Sequence, residues 1–324
     1  MNKAIKNIFA IDKKPLKGLF FFEWAMMVYL LATLVMTLFC FTDLVNPSEM
    51  IYGRIRAVII TLIGWGVYRM MPCRLMVLIR VLAQAALMAW WYADTYELNR
   101  ILPNLDHVFA AADQWMFGFQ PSLRFSEACP WTFFSEYLYL GYYSYFYLIV
   151  ATALLYYIYR YEEFLKVSAV ILTAFFVYYI IFVFVPVVGP QYYYQAIGLD
   201  NVVAGIFPDV GTYFRNHQEL FPAPGSEGDF FRSFVESGAV RDGERPTAAF
   251  PSSHIGLSTI VGCLLIRLGI KSHVWRPMYV FVPLYIALSL ATVYIHAHYV
   301  IDGIFGFITG VAFFFILWKT IKKA

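Results

Sequence analysis

Charge is what this sequence has least of. Only 14% of its 324 residues are Asp, Glu, Lys or Arg, whereas a soluble globular domain carries about 25%. The net charge of +3 is small and the basic residues do not cluster, which argues against a nucleic-acid-binding surface. Hydrophobic residues reach 61% and aromatic residues 20%. This composition predicts a polytopic helical membrane protein with aromatic belts at the interfaces.

Cysteine is also scarce. The four cysteines show neither the spacing of metal ligands nor that of a disulfide framework. We expect them to be small buried hydrophobic side chains. They are Cys40, Cys73, Cys129 and Cys263.

Eight apolar runs approach the ~20 residues that a spanning helix needs. They cover residues 19–42, 55–70, 74–93, 135–158, 166–186, 252–269, 276–295 and 298–318. The second is short and could be tilted or partly re-entrant. Five lysines precede the first run, which is too long for a signal peptide and lacks a cleavage site, so we predict an uncleaved anchor. The fold class is therefore all-α and integral to the membrane.

The basic residues predict the orientation of these spans. With the amino terminus inside, 15 of the 24 Lys and Arg residues lie in inner segments. The short outer loops carry only Arg54 and Arg56. This asymmetry follows the positive-inside rule and puts the first residues of the sixth and eighth spans on the same outer face.

Two outer segments are long, at about residues 94–134 and 187–251. The first contains an amphipathic stretch, Leu105 to Phe119, which either lies flat on the bilayer or is an ordinary capping helix. The second is polar and rich in Gly and Pro, and we predict a partly ordered cap over the site. The tyrosines between Tyr137 and Tyr147 are interpreted as packing and interfacial residues.

Three ionisable residues begin the sixth and eighth spans: His254, His298 and Asp302. Such residues are costly in a membrane and usually functional. His298 and Asp302 are four apart, which places them on one face of a helix. The carboxylate can then accept the Nδ1–H of His298 and leave Nε2 as a nucleophile or base. His254 can face it from another helix as a general acid.

The residues around His254 suit a phosphate. Pro251-Ser252-Ser253-His254 predicts a helix start, whose free amides attract anions. The Ser252 and Ser253 hydroxyls add donors, and Arg245 could clamp phosphate oxygens. His296 faces elsewhere on a helix and is a candidate for a supporting role only. A zinc site lacks a second ligand cluster, so we expect no metal and no cofactor.

These motifs resemble those of a known family. Pro251-Ser252-Ser253-His254 resembles the P-S-G-H motif of the type-2 phosphatidate phosphatase superfamily, and His298-x-x-x-Asp302 resembles its H-x-x-x-D motif. The chain is more narrowly similar to the inositol phosphorylceramide synthase branch over about residues 105–315. The stretches that carry this likeness are Thr292 to Tyr294, His298 to Asp302 with Gly306, Asp113 to Ser122, Glu136 to Tyr145, and Val185 to Gln191.

The resemblance implies a six-helix catalytic core, residues 74–324, preceded by a two-helix segment, residues 1–73. The site would lie at the extracytoplasmic end, and we expect a bacterial inner membrane. His298 would attack phosphorus to form a phosphohistidine, Asp302 would orient it, and His254 would protonate the leaving group. That family needs no metal for this chemistry.

The sequence departs from the superfamily in its basic residues. Of the first motif, K-x6-R-P, only Arg245-Pro246 is present, and Gly238 stands at the lysine position. The branch has an arginine where this chain has Gln191. Arg245, Arg241 and Gln191 are therefore the candidates for replacing the missing phosphate ligands. A phosphodiester carries less negative charge than a phosphomonoester, so this deficit favours a diester donor.

We therefore expect a lipid phosphotransferase of inositol phosphorylceramide synthase type. It would move a phospho-headgroup from a phospholipid donor to a ceramide-like or glycerolipid acceptor. The alternative is hydrolysis of a lipid phosphate or pyrophosphate. A lipid transporter or scramblase is disfavoured, because transporters place their binding residues near the bilayer midplane. The sequence does not predict an oligomeric state.

Overall fold

The computed structural model describes residues 9–12, 15–225, 229–236 and 244–322. Helices dominate these ranges because a backbone in hydrocarbon must satisfy its own hydrogen bonds. The α-helices are α1 (Phe21–Phe39), α2 (Pro47–Met70), α3 (Arg74–Asn99), α4 (Asp106–Phe117), α5 (Pro121–Ala128), α6 (Thr132–Tyr143), α7 (Tyr145–Tyr159), α8 (Tyr161–Phe184), α9 (Pro190–Ile197), α10 (Leu199–Ala204), α11 (Phe230–Glu236), α12 (Ser253–Ser272), α13 (Arg276–Tyr294) and α14 (Val300–Thr320).

Seven of these helices, α1, α2, α3, α8, α12, α13 and α14, are long and apolar enough to cross a membrane. An eighth span is formed if α6 and α7 are counted together, because they are bent by 49° at a short break. The prediction of an all-α integral membrane protein with about eight spans is confirmed. The division into residues 1–73 and 74–324 stays a prediction.

The second span is longer than the sequence indicated. It begins at Pro47, the first residue of α2, and not near residue 55. Arg54, placed by the sequence in an outer loop, lies inside α2 and donates to both carboxylate oxygens of Asp94 on α3, at 2.7 and 2.8 Å. A charged side chain that is paired in this way can lie inside a spanning helix. Hydropathy, which counts Arg54 as polar, therefore placed the start of the second span too late.

A second buried ion pair joins the first helix to the third. Arg80 of α3 donates from Nε to Glu23 of α1 at 2.8 Å and makes a further short contact through Nη2. The Arg80 guanidinium also lies over the Phe20 ring, 3.7 Å from its centroid. The Arg80 charge is therefore buried, but it is paired with a carboxylate and stacked on an aromatic ring. The two amino-terminal helices are thus tied to α3 by specific polar contacts.

The break between α6 and α7 has a local cause. The Ser144 hydroxyl donates to the Gly141 carbonyl at 2.7 Å, a contact that competes with regular helical bonding. Gly141 also lies against α13, where a Cβ would stand 2.5 Å from the Leu288 backbone nitrogen. The span predicted at 135–158 is therefore two helix segments, α6 and α7, bent by 49°.

Small residues bring α12 and α14 together. A Cβ on Gly306 would lie 2.5 Å from the Ser252 carbonyl oxygen, and one on Gly310 would lie 2.5 Å from the Gly256 carbonyl oxygen. Glycines at such positions let helix backbones approach closely in a membrane. The starts of α12 and α14 therefore lie side by side.

In the first long connecting segment α4 has one buried and one exposed face, and its lying flat on the bilayer stays a prediction. One face of α4 buries Asp106 and Asp113 against the protein, as a capping helix does. The other face exposes Trp115, at 87%, which suits an interfacial position.

The last residues of the second long segment are hydrogen-bonded to its first residues. The amide of Ala249 donates to the Val187 carbonyl oxygen at 3.0 Å. Residues 226–228 and 237–243 of this segment lie outside the described residues. The four cysteines are free. Cys73 is buried, as expected, and the other three are only partly buried.

Candidate functional site

Two histidines meet where α12 and α14 begin. His254 is the second residue of α12, and His298 lies in the turn between α13 and α14. Nδ1 of His254 is 3.3 Å from Nε2 of His298. Asp302, in the first turn of α14, has its carboxylate Oδ2 3.6 Å from Nδ1 of His298. The structure thus brings together the three residues that the sequence singled out.

The proton on His298 is positioned by a backbone carbonyl. Nδ1 of His298 is 2.8 Å from the Ala249 carbonyl oxygen. A carbonyl oxygen can only accept a hydrogen bond, so Nδ1 carries the hydrogen and Nε2 of the neutral ring keeps a free lone pair. That lone pair accepts from Nδ1–H of His254.

Two expectations about Asp302 are therefore corrected. His298 lies before α14 and not on it, so the pair does not share a helical face. The Nδ1–H bond goes to Ala249, while Asp302 Oδ2 accepts the backbone amide of Tyr299 at 2.9 Å. An acidic residue in the first turn of a helix readily accepts such an amide, and the spacing alone did not show this competing partner. Asp302 remains near the ring, with Oδ2 3.6 Å from Nδ1 of His298.

His254 lies against two aromatic rings. The ring of Tyr142 is stacked on it, with centroids 4.8 Å apart, and that of Tyr145 is tilted at 4.6 Å. The Tyr142 hydroxyl donates to Oε1 of Glu244 at 3.4 Å. Tyr142 and Tyr145 thus contact the site directly, in addition to the packing role that the sequence indicated.

The candidate phosphate ligands are placed differently from one another. Ser252 is fully buried and caps α12 through its hydroxyl, which accepts the Ile255 amide at 3.5 Å. The Ser253 carbonyl oxygen accepts the Tyr145 hydroxyl at 3.4 Å. As the first residues of α12, Ser253 and His254 keep amides that point out of the helix.

Arg245 lies on the segment before α12, and Gln191 is the second residue of α9. Arg245 contacts the Tyr92 hydroxyl through its backbone amide and carbonyl, at 3.3 and 3.2 Å, and its Nη1 donates to the Glu244 carbonyl oxygen at 3.0 Å. The Gln191 amide donates to the His296 carbonyl oxygen at 2.7 Å. Arg241 and Gly238 lie outside the described residues.

Two buried carboxylates hold the turn that carries His298. Asp113 accepts the amides of Val300 and Ile301 at 2.8 and 3.1 Å, which satisfies the first turn of α14. Asp106 accepts the amides of Val188 and Gly189 and the hydroxyl of Tyr299, at 2.7, 2.9 and 3.0 Å. Sequence reasoning missed both roles. Their seven-residue spacing, two turns on one face of an amphipathic helix, was the available signal.

Comparison with known families agrees with this arrangement. A family model described as the PAP2 superfamily matches residues 106–316, from the first residue of α4 to near the end of α14. The chain belongs to the PAP2 superfamily. Membership supports a lipid phosphatase or phosphotransferase activity in an integral membrane protein. No curated protein matches the chain, and no solved structure matches it.

His296 occupies a constrained place in this PAP2 site. It is buried, and its backbone has a φ of +65°, which is uncommon for a residue with a side chain. Within the described residues its Nδ1 has no hydrogen-bond partner, and its ring lies 5.5 Å from that of Phe221. The left-handed conformation turns the chain between α13 and His298.

The pH dependence of turnover tests the state of His298. Burial lowers the pKa of His298 to about 4, opposed by its hydrogen bond to the Ala249 carbonyl. The neutral ring, which is the reactive form, therefore persists well below the ordinary histidine pKa of about 6.5. We expect kcat/KM, which reports the free enzyme, to lose its histidine-dependent part only near pH 4, by about tenfold per unit. An acid limb near pH 6.5 in kcat/KM of the wild-type protein would contradict this.

Proposed function

We propose that this PAP2 protein is a lipid phosphotransferase of inositol phosphorylceramide synthase type. It would move a phospho-headgroup from a phospholipid donor to the hydroxyl of a ceramide-like or glycerolipid acceptor. The observation that carries the proposal is the hydrogen-bonded histidine pair. The Ala249 carbonyl leaves Nε2 of His298 unprotonated, and His254 lies 3.3 Å from that nitrogen.

The pair supports a two-step transfer. Nε2 of His298 attacks phosphorus, and the bond from phosphorus to the diacylglycerol oxygen breaks while His254 delivers a proton to that oxygen. In the second step the acceptor hydroxyl loses its proton to His254 and attacks phosphorus. The phosphorus–nitrogen bond then breaks and His298 is regenerated. The Ala249 carbonyl and the Asp302 carboxylate stabilise the positive charge on the His298 ring.

The resting contact must open for this reaction. A phosphoryl group does not fit between nitrogens 3.3 Å apart, so substrate has to displace one ring. His298 is held by Ala249, whereas His254 lies against Tyr142 and Tyr145. We therefore assign the movement to His254, whose ring can slide along two aromatic faces without losing a hydrogen bond to either.

Two features favour transfer over hydrolysis. His298 is only 3% exposed, so bulk water has little access to the phosphohistidine. Arg245 lies next to Glu244, whose carboxylate is held by Tyr142. Among the described residues, a site with this little net positive charge suits a phosphodiester better than a phosphomonoester.

The site would face the extracytoplasmic side, in a bacterial inner membrane. The support is the positive-inside distribution of Lys and Arg, which places the starts of α12 and α14 outside. The site's position at one end of the bundle also argues against a transporter, whose binding residues lie near the midplane.

A labelled-headgroup assay tests the proposed reaction. Purified protein in detergent receives a phospholipid labelled in its phosphate, with and without a long-chain acceptor alcohol. We expect label to move to the acceptor lipid, in amounts equal to the diacylglycerol released. Release of label only as water-soluble phosphate or phospho-headgroup would contradict the transferase and would instead support the hydrolase.

A further inference from the structure

We propose that the groove between α13 and α14 binds an alkyl chain of the reacting lipid. The inference rests on the proposed function, lipid phosphoryl transfer, and assigns its substrate a place in the fold. The groove has a volume of about 840 Å³, within the range of about 300–1,000 Å³ that is usual for ligand pockets.

The groove begins beside the reacting residues. Its inner wall includes Ile255, which follows His254, and Gly303, which follows Asp302. Gly303 contributes no side chain there, and a Cβ would come within 2.9 Å of the Ile255 Cδ1. A lipid whose phosphate reaches His298 would therefore have its glycerol or sphingoid backbone close to the groove's upper end.

The depth of the groove matches one leaflet. On α13 its lining extends from Val293 to Tyr285, and on α14 from Val300 to Ile308. Each stretch advances eight residues, or about 12 Å at ~1.5 Å per residue. Half of a ~30 Å hydrocarbon layer is about 15 Å. A partner transmembrane helix would need a seam through the whole layer, so the dimensions favour a single lipid chain.

The chemistry of the lining also fits an alkyl chain. Its two polar side chains on α13 are already satisfied, because the Tyr285 hydroxyl bonds Thr259 at 2.7 Å and the Ser289 hydroxyl donates to the Tyr285 carbonyl at 2.7 Å. The other lining residues, apart from Arg124, are apolar. Arg124 of α5 also lines the groove, and its side chain is 69% exposed.

The α4–α5 hairpin closes the groove at the end that carries the site. Phe117 and Phe119 line the groove, while Trp115, which lies on α4 with Phe117, is exposed. Aromatic residues of this kind are favoured at the membrane interface. The hairpin therefore places the headgroup region above the groove and the hydrocarbon below it.

A chain-length comparison tests the groove. Ile304→Trp fills it from α14, and Ile316→Trp is the matched control, three turns along the same helix and outside the lining. The two isoleucines are 45% and 58% exposed. The readout is the ratio of kcat/KM for a long-chain phospholipid to that for a short-chain, water-soluble analogue with the same headgroup. Each methylene excluded from an apolar site weakens binding about fourfold.

We expect Ile304→Trp to lower this ratio at least tenfold and Ile316→Trp to leave it unchanged. An unchanged ratio in Ile304→Trp, or an equal fall in both variants, would overturn the inference.

Photolabelling tests lipid binding in the groove without requiring turnover. His298→Ala protein in micelles is irradiated with a long-chain phospholipid that carries a photoreactive group on its chain. Labelling of α13 and α14 at the groove, with competition by unlabelled substrate lipid but not by a lipid lacking phosphate, is expected. Labelling without that competition means bulk lipid and overturns the inference. If wild-type protein turns over neither lipid, the proposed function fails, and this experiment still decides the groove.

Discussion

Replacing His298 by alanine is expected to lower turnover by at least about three orders of magnitude, the usual loss when a covalent nucleophile is removed. The expectation rests on one geometry. The Ala249 carbonyl accepts from Nδ1 at 2.8 Å, so Nε2 is the nitrogen available to phosphorus. The assay is release of labelled headgroup or transfer of it to an acceptor lipid.

We expect His298→Ala to fold, and a second histidine variant serves as the control. His273 ends α12 at the opposite end from His254, is exposed, and has a φ of +56°. His273→Asn also removes an imidazole, and asparagine tolerates this backbone conformation. We expect full turnover and an unchanged thermal midpoint in His273→Asn, and a lower midpoint but a cooperative unfolding transition in His298→Ala, which loses a buried hydrogen bond. Retention of more than about a tenth of wild-type turnover in His298→Ala, a barrier change of only ~1.4 kcal/mol, would remove His298 from the role of nucleophile.

A phosphohistidine would be trapped most directly in a second variant. His254→Ala retains the proposed nucleophile but lacks the group that protonates the leaving oxygen and later activates the acceptor. Incubated with a donor lipid that has a good leaving group, it should accumulate acid-labile label on His298. Label on another residue, or none with an intact fold, would contradict the two-step transfer.

Replacing Asp106 by alanine is expected to lower the free energy of unfolding by about 4 kcal/mol or more. Its carboxylate is fully buried and accepts from Val188, Gly189, Tyr299 and Asn104. Each buried donor left without an acceptor costs about 1–3 kcal/mol. Turnover should fall too, because Tyr299 adjoins His298 and Gly189 approaches the Ala297 carbonyl.

The expected loss of turnover in Asp106→Ala follows from the close approach of Gly189 to the Ala297 carbonyl. Gly189 has a φ of +88°, and a Cβ there would lie 2.3 Å from the Ala297 carbonyl oxygen. Asp106 holds the glycine in this position through its amide. Loss of the carboxylate therefore frees the backbone on which the turn from His296 to His298 rests.

Thermal unfolding in detergent compares the stability of Asp106→Ala with that of three further variants. Asp106→Asn keeps one acceptor oxygen and should fall between wild type and Asp106→Ala. Asp113→Ala strands two amides, of Val300 and Ile301, and should be less destabilised than Asp106→Ala. Asp200→Ala, at an exposed position on α10, should stay within about 0.5 kcal/mol of wild type. Equal midpoints for Asp106→Ala and Asp200→Ala would show that the buried carboxylate does not stabilise the turn.

The sequence by itself determined the membrane class, the approximate positions of the spans and the superfamily. Hydropathy is a local property, because about 20 consecutive apolar residues are enough to cross a bilayer. The motifs around His254, His298 and Asp302 were visible for the same reason, since their residues are close along the chain. Hydropathy misplaced the start of the second span, because Arg54 looks too polar for a spanning helix. Its charge is paired inside the protein with Asp94, 40 residues away.

Only the tertiary structure decided how these residues are connected. The acceptor for His298 is a backbone carbonyl, which every residue carries and no sequence pattern marks. Ala249 and His298 are 49 residues apart, and Tyr299 and Asp106 are 193 apart. Such contacts depend on how α4, α12 and α14 pack, with Gly306 against Ser252. Long-range packing therefore determined which nitrogen of His298 carries the proton, which carboxylates hold the turn before α14, and where the groove lies. None of these follows from the residues nearest in sequence.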